Sequence, residues 1–220
     1  MYIIIKRIMD IIIAGISLII FLPLFIPISI ILKFSGEGEV FYFQERIGKK
    51  NSLFKIWKFA TMLKNSPNMG TGDVTVKNDP RVLPIGKFLR KTKINELPQI
   101  INVLIGEMSI VGARPLVDVS FNQYSDSVKK VIYNTPPGIT GIGSLIFRDE
   151  ESIIDKSELP PREFYEKFII PYKGEVEVWY QNNKSVFLDC KIIFLTAWSI
   201  LFPKNNLTNK LFKTLPKRPF

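Results

Sequence analysis

The first sustained hydrophobic block, residues 11–32, contains no charged residue; Lys6, Arg7 and Asp10 precede it and Lys33 follows it. A helix of about 20 apolar residues crosses hydrocarbon, so the block is long enough to span a bilayer. It is too long for a cleaved signal peptide, and no small-x-small site stands after it. Pro23 and Pro27 sit near its middle, where each removes a backbone donor and crowds the preceding turn. Two readings follow. One is a kinked spanning helix, since prolines are tolerated in such helices. The other is a re-entrant helix, broken at Pro23 and Pro27, that returns to the face it entered. Basic residues on both flanks (Lys6 and Arg7; Lys33, Arg46, Lys49 and Lys50) are compatible with both ends staying cytoplasmic. The pattern of positions by itself leaves both open.

Beyond Lys33 the polar turn Ser35-Gly36-Glu37-Gly38-Glu39 leads into two runs that predict short strands, residues 40–44 and 53–59. Residues 64–80, rich in Asn, Gly, Ser, Pro and Asp, predict a long loop of the kind that often carries function. Residues 87–104 predict a helix interrupted by Pro98, residues 108–111 an extended segment, and residues 121–134 a helix. The Pro- and Gly-rich stretch 136–143 predicts a loop. Helices are expected over 164–170, 175–181 and 186–202. The last carries only Asp189 and Lys191 as charges, so it is either buried or lies in a membrane surface. The tail adds Lys204, Lys210, Lys213, Lys217 and Arg218, which suit anionic head groups. The expected fold class is a mixed α/β, membrane-associated protein. A membrane hairpin over residues 1–35 precedes a domain over 36–220 that ends in interfacial helices.

Composition then narrows the chemistry. Lys and Arg outnumber Asp and Glu by 30 to 20, a formal charge of +10. That excess favours an anionic partner: nucleic acid, acidic lipid or a phosphorylated substrate. No histidine is present, which removes His acid–base catalysis, Ser-His-Asp triads and His metal sites. The single cysteine, Cys190, excludes an intrachain disulfide and a Cys-rich zinc site, and its apolar surroundings predict a buried thiol. No Walker or dinucleotide-binding glycine loop occurs. What remains is carboxylate, Lys, Arg, Tyr, hydroxyl and backbone chemistry, to which magnesium with phosphates is suited.

The densest polar constellation is Lys77-Asn78-Asp79-Pro80-Arg81 followed by residues 87–99, where many cations converge on one carboxylate, Glu96. It admits two readings. Asn95 can be a helix N-cap with Glu96 in the favourable first turn and the cations on a solvated face. Alternatively, Arg forks bind phosphate oxygens in pairs, and a carboxylate beside them holds magnesium or attacks phosphorus.

The chain resembles the monotopic phosphoglycosyl transferases, bacterial sugar transferases that begin lipid-linked glycan assembly. The resemblance runs over nearly the whole length. It rests on Lys6-Arg7-x-x-Asp10, Phe43-Gln44-Glu45-Arg46-Ile47-Gly48, Lys58-Phe59-x-Thr61-Met62 and Asp79-Pro80-Arg81. It continues through Gly86-x-Phe88-Leu89-Arg90-Lys91-Thr92, Glu96-Leu97-Pro98-Gln99, Asn102-Val103-Leu104 and Met108-Ser109-x-Val111-Gly112-x-Arg114-Pro115. Pro137-Gly138-Ile139-Thr140-Gly141 and Asp189-x-Lys191-Ile192-Ile193 complete it. The order and spacing of these motifs carry the likeness more than any one of them.

The resemblance implies a re-entrant helix that enters and leaves on the cytoplasmic side of the bacterial inner membrane, and an Asp-Glu dyad working with Mg2+. It implies a nucleotide-sugar donor, most simply a UDP-sugar, and a polyprenyl phosphate acceptor. Membrane lipids are the further partners; a homodimer stays open, and nucleic acid is not implied. The dyad positions match Asn95 and Glu96, with Glu96 the metal-binding carboxylate. Arg90 and Arg114 match arginines near the substrate phosphates and nucleotide, and Lys58 and Arg81 match basic positions around the same cleft. Arg148 and Glu177 match polar positions more loosely. Three positions depart from the family pattern. Asn95 stands where the nucleophilic Asp is usual, Ala60 replaces an Arg, and Ala113 replaces a Pro. The departures leave two functions open: a transferase in which Glu96 or another group carries the chemistry, and an impaired or trapped member that binds nucleotide-sugar as a membrane scaffold.

Overall fold

The computed structural model describes residues 1–69, 79–202, 207, 211–212 and 214–220. The chain forms a 32-residue helix α1 (Tyr2–Lys33), then paired strands β1 (Phe41–Ile47) and β2 (Leu53–Phe59). Helices α2 (Pro84–Lys91) and α3 (Gln99–Ile105) flank a single 3-10 turn, Ile94–Glu96. Strand β3 (Ser109–Val111), the short helices α4 (Asp118–Phe121) and α5 (Asp126–Lys129), and strand β4 (Gly138–Thr140) follow. Then come α6 (Ile142–Ile146), α7 (Glu150–Asp155), α8 (Pro161–Phe164), a π-helical turn (Tyr165–Ile169), α9 (Ile170–Asn183) and α10 (Val186–Leu201). The mixed helix-and-strand class agrees with expectation.

Contacts divide the chain into two units. One comprises Met1–Asp10, Arg46–Phe54 and Gly106–Phe220; the other comprises Ile11–Glu45 and Lys55–Ile105. In the second unit, Phe25, Ile28 and Leu32 of α1 pack with Phe59 of β2 and Leu89 of α2. Phe25 meets Phe59 edge-on at 5.2 Å between ring centroids, and Phe41 stacks on Phe59 at 5.6 Å. α2 lies close to the chain at Thr61: a Cβ on Gly86 would stand 2.2 Å from the Thr61 carbonyl oxygen, so only glycine fits. The carboxamide of Asn102, fully buried on α3, takes the place of a further strand along β2. It accepts from Trp57 N at 2.9 Å and donates to Lys55 O at 2.8 Å, fixing the backbone beside Lys58.

In the first unit, Ala113, Phe121, Tyr124, Ile132, Tyr133 and Ile170 form the core with Ile47. β3 pairs in parallel with β4, Ser109 opposite Gly138 and Val111 opposite Thr140. The opening turns of α1 are fastened here by polar groups. Lys6 Nζ donates to Asp189 Oδ2 and to Val111 O, each at 2.8 Å. Tyr2 and Tyr180 hydroxyls donate to the same carboxylate at 2.9 and 2.7 Å. Asp10 Oδ1 accepts from Ser109 Oγ and Ile110 N, both at 2.9 Å. The Lys6, Asp10 and Asp189 motifs are therefore a buried clamp as well as flanking charge.

Several expectations are corrected. α1 runs through Pro23 and Pro27 as one helix, so the prolines do not split it in two: each removes one hydrogen bond, which a long helix absorbs. The helix expected over 87–104 is two helices with a break wider than Pro98, because Lys93 adopts a left-handed conformation (φ 61°). The helix expected over 121–134 is reduced to α4 and α5, parted by extended Ser125, as Phe121, Tyr124, Ile132 and Tyr133 all turn into the core. The loop expected over 136–143 holds β4 and the start of α6. Cys190 is exposed, because α10 buries the line Leu188, Asp189, Ile192 and Leu195 and turns Cys190 outward. Of the loop over 64–80, residues 70–78 lie outside the described residues, as do Lys204, Lys210 and Lys213 of the tail.

Candidate functional site

Five of the expected site residues, Lys58, Arg81, Arg90, Asn95 and Glu96, belong to the second unit. Left-handed Lys93 starts the 3-10 turn, and Glu96 N donates back to Lys93 O at 3.0 Å. A non-glycine residue in this conformation costs of order 1 kcal/mol or more, and such strain concentrates at functional sites. The turn buries Asn95 and leaves Glu96 part-exposed, with its Oε1 3.7 Å from Lys58 Nζ. Asn95 is not an N-cap, as one reading of the sequence has it: the cap position is Lys93, and Asn95 lies inside the turn. Its Oδ1 is buried without a hydrogen-bond donor among the described residues.

Arg81 is committed elsewhere in the same unit. Its Nε and one terminal nitrogen engage Asp79 at 2.9 and 2.6 Å, and its other nitrogen donates to Ser66 O and Met69 O at 2.8 and 2.7 Å. The buried fork thus ties the start of the long loop to Asp79. Arg90, near the end of α2, is half-buried with a terminal nitrogen 3.5 Å from Met62 Sδ. Lys77 and Asn78 lie outside the described residues.

Arg114, Arg148 and Glu177 belong to the first unit. The backbone around Arg114 is fixed by Tyr133, whose hydroxyl donates to Arg114 O at 2.8 Å and accepts from Leu116 N at 3.0 Å. Burial pushes the Tyr133 phenol up, so it stays a neutral donor and acceptor. The guanidinium of Arg114 itself is on the exposed side. Arg148 is exposed just past α6. Glu177 is buried on α9 against Gly143, where a glycine Cβ would fall 2.3 Å from its Oε1, and its Oε2 has no partner among the described residues.

The Bacterial sugar transferase family model matches residues 1–203. The chain belongs to this family. The sugar transferase is 35% identical over 196 residues to a UDP-glucose:undecaprenyl-phosphate glucose-1-phosphate transferase of Klebsiella pneumoniae, covering 88% of this chain and 39% of that protein. It is 34% identical over 202 residues to a UDP-N-acetylgalactosamine-undecaprenyl-phosphate N-acetylgalactosaminephosphotransferase of Aeromonas hydrophila, covering 91% and 44%. It is 36% identical over 215 residues to the exopolysaccharide production protein ExoY of Sinorhizobium fredii, covering 91% and 87%. The chain therefore spans less than half the length of the first two relatives and most of the third.

In the sugar transferase, no cluster of three or more acidic or thiol ligands is present among the described residues. A magnesium ion shared with substrate phosphates needs only one or two protein oxygens, and the Glu96 carboxylate with the donorless Asn95 Oδ1 are oxygens of that kind. Sequence reasoning missed Asn102, Tyr133, Tyr2 and Tyr180, which hold the polar residues in place. Only Asn102 stood within a quoted motif; the tyrosines gave no signal because their partners are distant in the chain.

Burial raises the Glu177 carboxyl from 4.5 to about 7, opposed by the Gly143 N–H and Lys173. The folded chain thus holds a proton there that the unfolded chain releases earlier. Stability from this group is fully present below about pH 4.5 and is lost as pH rises to about 7. Glu177→Gln keeps an acceptor for Gly143 and should abolish that slope. Chemical unfolding at pH 5 and pH 8 should show the variant gaining on the order of 2–3 kcal/mol on the wild type at the higher pH only.

Proposed function

We propose that this sugar transferase moves a sugar 1-phosphate from a nucleoside diphosphate sugar to polyprenyl phosphate, releasing nucleoside monophosphate, at the cytoplasmic face of the bacterial inner membrane. The observation that carries this reading is the strained turn that leaves Glu96 part-exposed and 3.7 Å from Lys58. The named activities of the Klebsiella and Aeromonas relatives, both UDP-sugar to undecaprenyl phosphate, support the substrate classes.

Glu96 is the nucleophile in this reading. A carboxylate oxygen attacks the sugar-bearing phosphorus, the bond from that phosphorus to the bridging oxygen breaks, and nucleoside monophosphate leaves with the electron pair. An oxygen of polyprenyl phosphate then attacks the same phosphorus and frees the carboxylate. Lys58 and Arg90, in the same unit as Glu96, neutralise charge on the phosphates. Glu96 and Asn95 would hold magnesium, which would supply charge neutralisation at the diphosphate. Arg81 acts through the loop it ties to Asp79.

The membrane reading is a re-entrant α1. One described helix is long and apolar enough to cross a membrane, and that helix is α1. Its first turns are clamped by Asp189, and its last turns are packed on Phe59 and Leu89. Basic residues flank α1 on both sides, and a helix that dips into one leaflet and returns keeps both flanks on the cytoplasmic face. It also holds the site at the depth where a lipid-bound phosphate can reach it.

The test is a release assay with a panel of nucleotide-sugars, with and without polyprenyl phosphate and magnesium. Nucleoside monophosphate release together with a lipid-linked sugar diphosphate is the expected result. Asn95 favours one other reading, a nucleotide-sugar-binding scaffold, because a carboxamide cannot serve as the nucleophile. Donor binding without release in the wild type, and release by Asn95→Asp, would support the scaffold.

A further inference from the structure

Lys6 and Arg7 stand side by side at the start of α1, and the fold uses them differently. Lys6 is buried and tied to Asp189 and to Val111 O. Arg7 is half-buried and lies over Gly106, where an added Cβ would stand 3.4 Å from a guanidinium nitrogen. Gly106 also has φ +96°, a conformation that side chains rarely adopt. Glycine thus gives the chain its bend there and leaves the guanidinium room.

Ile3, Arg7, Lys49, Asn134 and Thr135 line a cavity of about 180 Å3 whose lining lies wholly in the first unit. Three cations and one carboxylate border it: Lys6, Arg7, Lys49 and Asp10. Asp10 is occupied by Ser109 Oγ and Ile110 N, and Lys6 by Asp189. The balance is positive, and its more accessible cations are Arg7 and Lys49. Lys49 is exposed on a turn whose next two residues, Lys50 and Asn51, are left-handed at φ 56° and 61°. Lys50 N donates to Tyr133 O at 2.8 Å and Asn51 Nδ2 to Lys129 O at 3.2 Å, so the turn is fastened to the chain just before Asn134. Such strain concentrates at functional sites.

Guanidinium and ammonium groups hold phosphate oxygens by charge-assisted hydrogen bonds. Ile3, Ile4 and Ile8, on the same turns as Arg7, are exposed, and exposed isoleucines continue along α1. A soluble phosphate would leave them in water; a phosphate carried on acyl chains covers them. Asn134 and Thr135 add polar groups suited to a glycerol ester, which a polyprenyl chain lacks.

We propose that the cavity at the start of α1 binds the headgroup phosphate of an anionic phospholipid, with Arg7 and Lys49 as its ligands and Ile3 beside the acyl chain. The inference rests on the membrane reading of α1 and not on the chemistry at Glu96.

The test adds equal amounts of chain-matched phosphatidylglycerol and phosphatidylcholine to the full chain in detergent and counts retained lipid by native mass spectrometry. The wild type should retain phosphatidylglycerol with roughly tenfold preference. Arg7→Gln and Lys49→Glu should each lower that retention roughly tenfold and leave phosphatidylcholine unchanged. Lys49 is exposed, so Lys49→Glu keeps the test open even if Arg7→Gln disturbs folding. Lys130→Glu, at an exposed cation outside the cavity, should change nothing. An excess of glycerol 3-phosphate, or polyprenyl phosphate equimolar with the phospholipid, should not displace the bound lipid. Retention without preference, or an equal loss in Lys130→Glu, would overturn the site. Displacement by glycerol 3-phosphate would make the ligand a soluble phosphate, and displacement by polyprenyl phosphate would make it the acceptor; either would overturn the phospholipid. A chain that failed to partition into bilayers at all would sink the membrane reading, whereas one that partitioned and kept no preference would overturn the site alone.

Discussion

Glu96→Gln is expected to lower kcat by roughly four orders of magnitude while leaving donor binding and fold nearly intact. Glutamine has the same length and keeps a carbonyl oxygen near Lys58, so the turn Ile94–Glu96 is retained. What it loses is the negative charge and the ability to form an acyl phosphate. Intact-mass measurement after incubation with donor and magnesium, in the absence of acceptor, should show a phospho-sugar adduct on the wild type and none on Glu96→Gln. A variant that turned over within tenfold of the wild type would remove Glu96 from the chemistry. A wild type that turned over with no adduct under any trapping condition would point to direct transfer. Asn95 gives this experiment its weight: with a carboxamide at the neighbouring position, the turn offers one carboxylate only.

The second large effect is on stability. Asp189→Ala should cost on the order of 3–5 kcal/mol, because it leaves the ammonium of Lys6 buried and unpaired. The Lys6 and Asp189 side chains are 5% and 0% exposed, and three donors converge on that one carboxylate: Lys6, Tyr2 and Tyr180. The loss should also free the first turns of α1, so protease cleavage near residue 10 should quicken. Urea unfolding in detergent gives the magnitude. The double variant Lys6→Met with Asp189→Leu should recover much of it, since an apolar pair of similar volume carries no desolvation cost. If Asp189→Ala unfolded within about 1 kcal/mol of the wild type, the clamp would have no energetic role.

Much of the fold was legible along the chain because the signals are local. An uninterrupted apolar run reads as one long helix, alternation over 53–59 reads as a strand, and the apolar stretch after Ser185 reads as α10 with its N-cap. Of the candidate site, the pairing of Glu96 with Lys58 joins two residues that the family resemblance had placed around one cleft. Reading failed where a side chain answers to something distant in sequence. Nothing local distinguishes Arg81, fastened to Asp79 and two loop carbonyls, from a phosphate-binding arginine. Nor could the sequence show that Asn102 stands in for a strand, or that Tyr133 clamps Arg114.

The sequence by itself determined a sugar transferase with one membrane-length apolar helix, a basic excess and a single carboxylate at the dyad, because composition and motif order are properties of the chain. Only the tertiary structure decided which charges are buried and which keep contact with solvent. Lys6, Asp189 and Arg81 are tied to buried partners, while Glu96 stays part-exposed beside Lys58 and Arg148 is exposed. The physical reason is that desolvation, not residue type, sets whether a charge is a structural tie or a reactive group, and desolvation exists only once distant segments have packed.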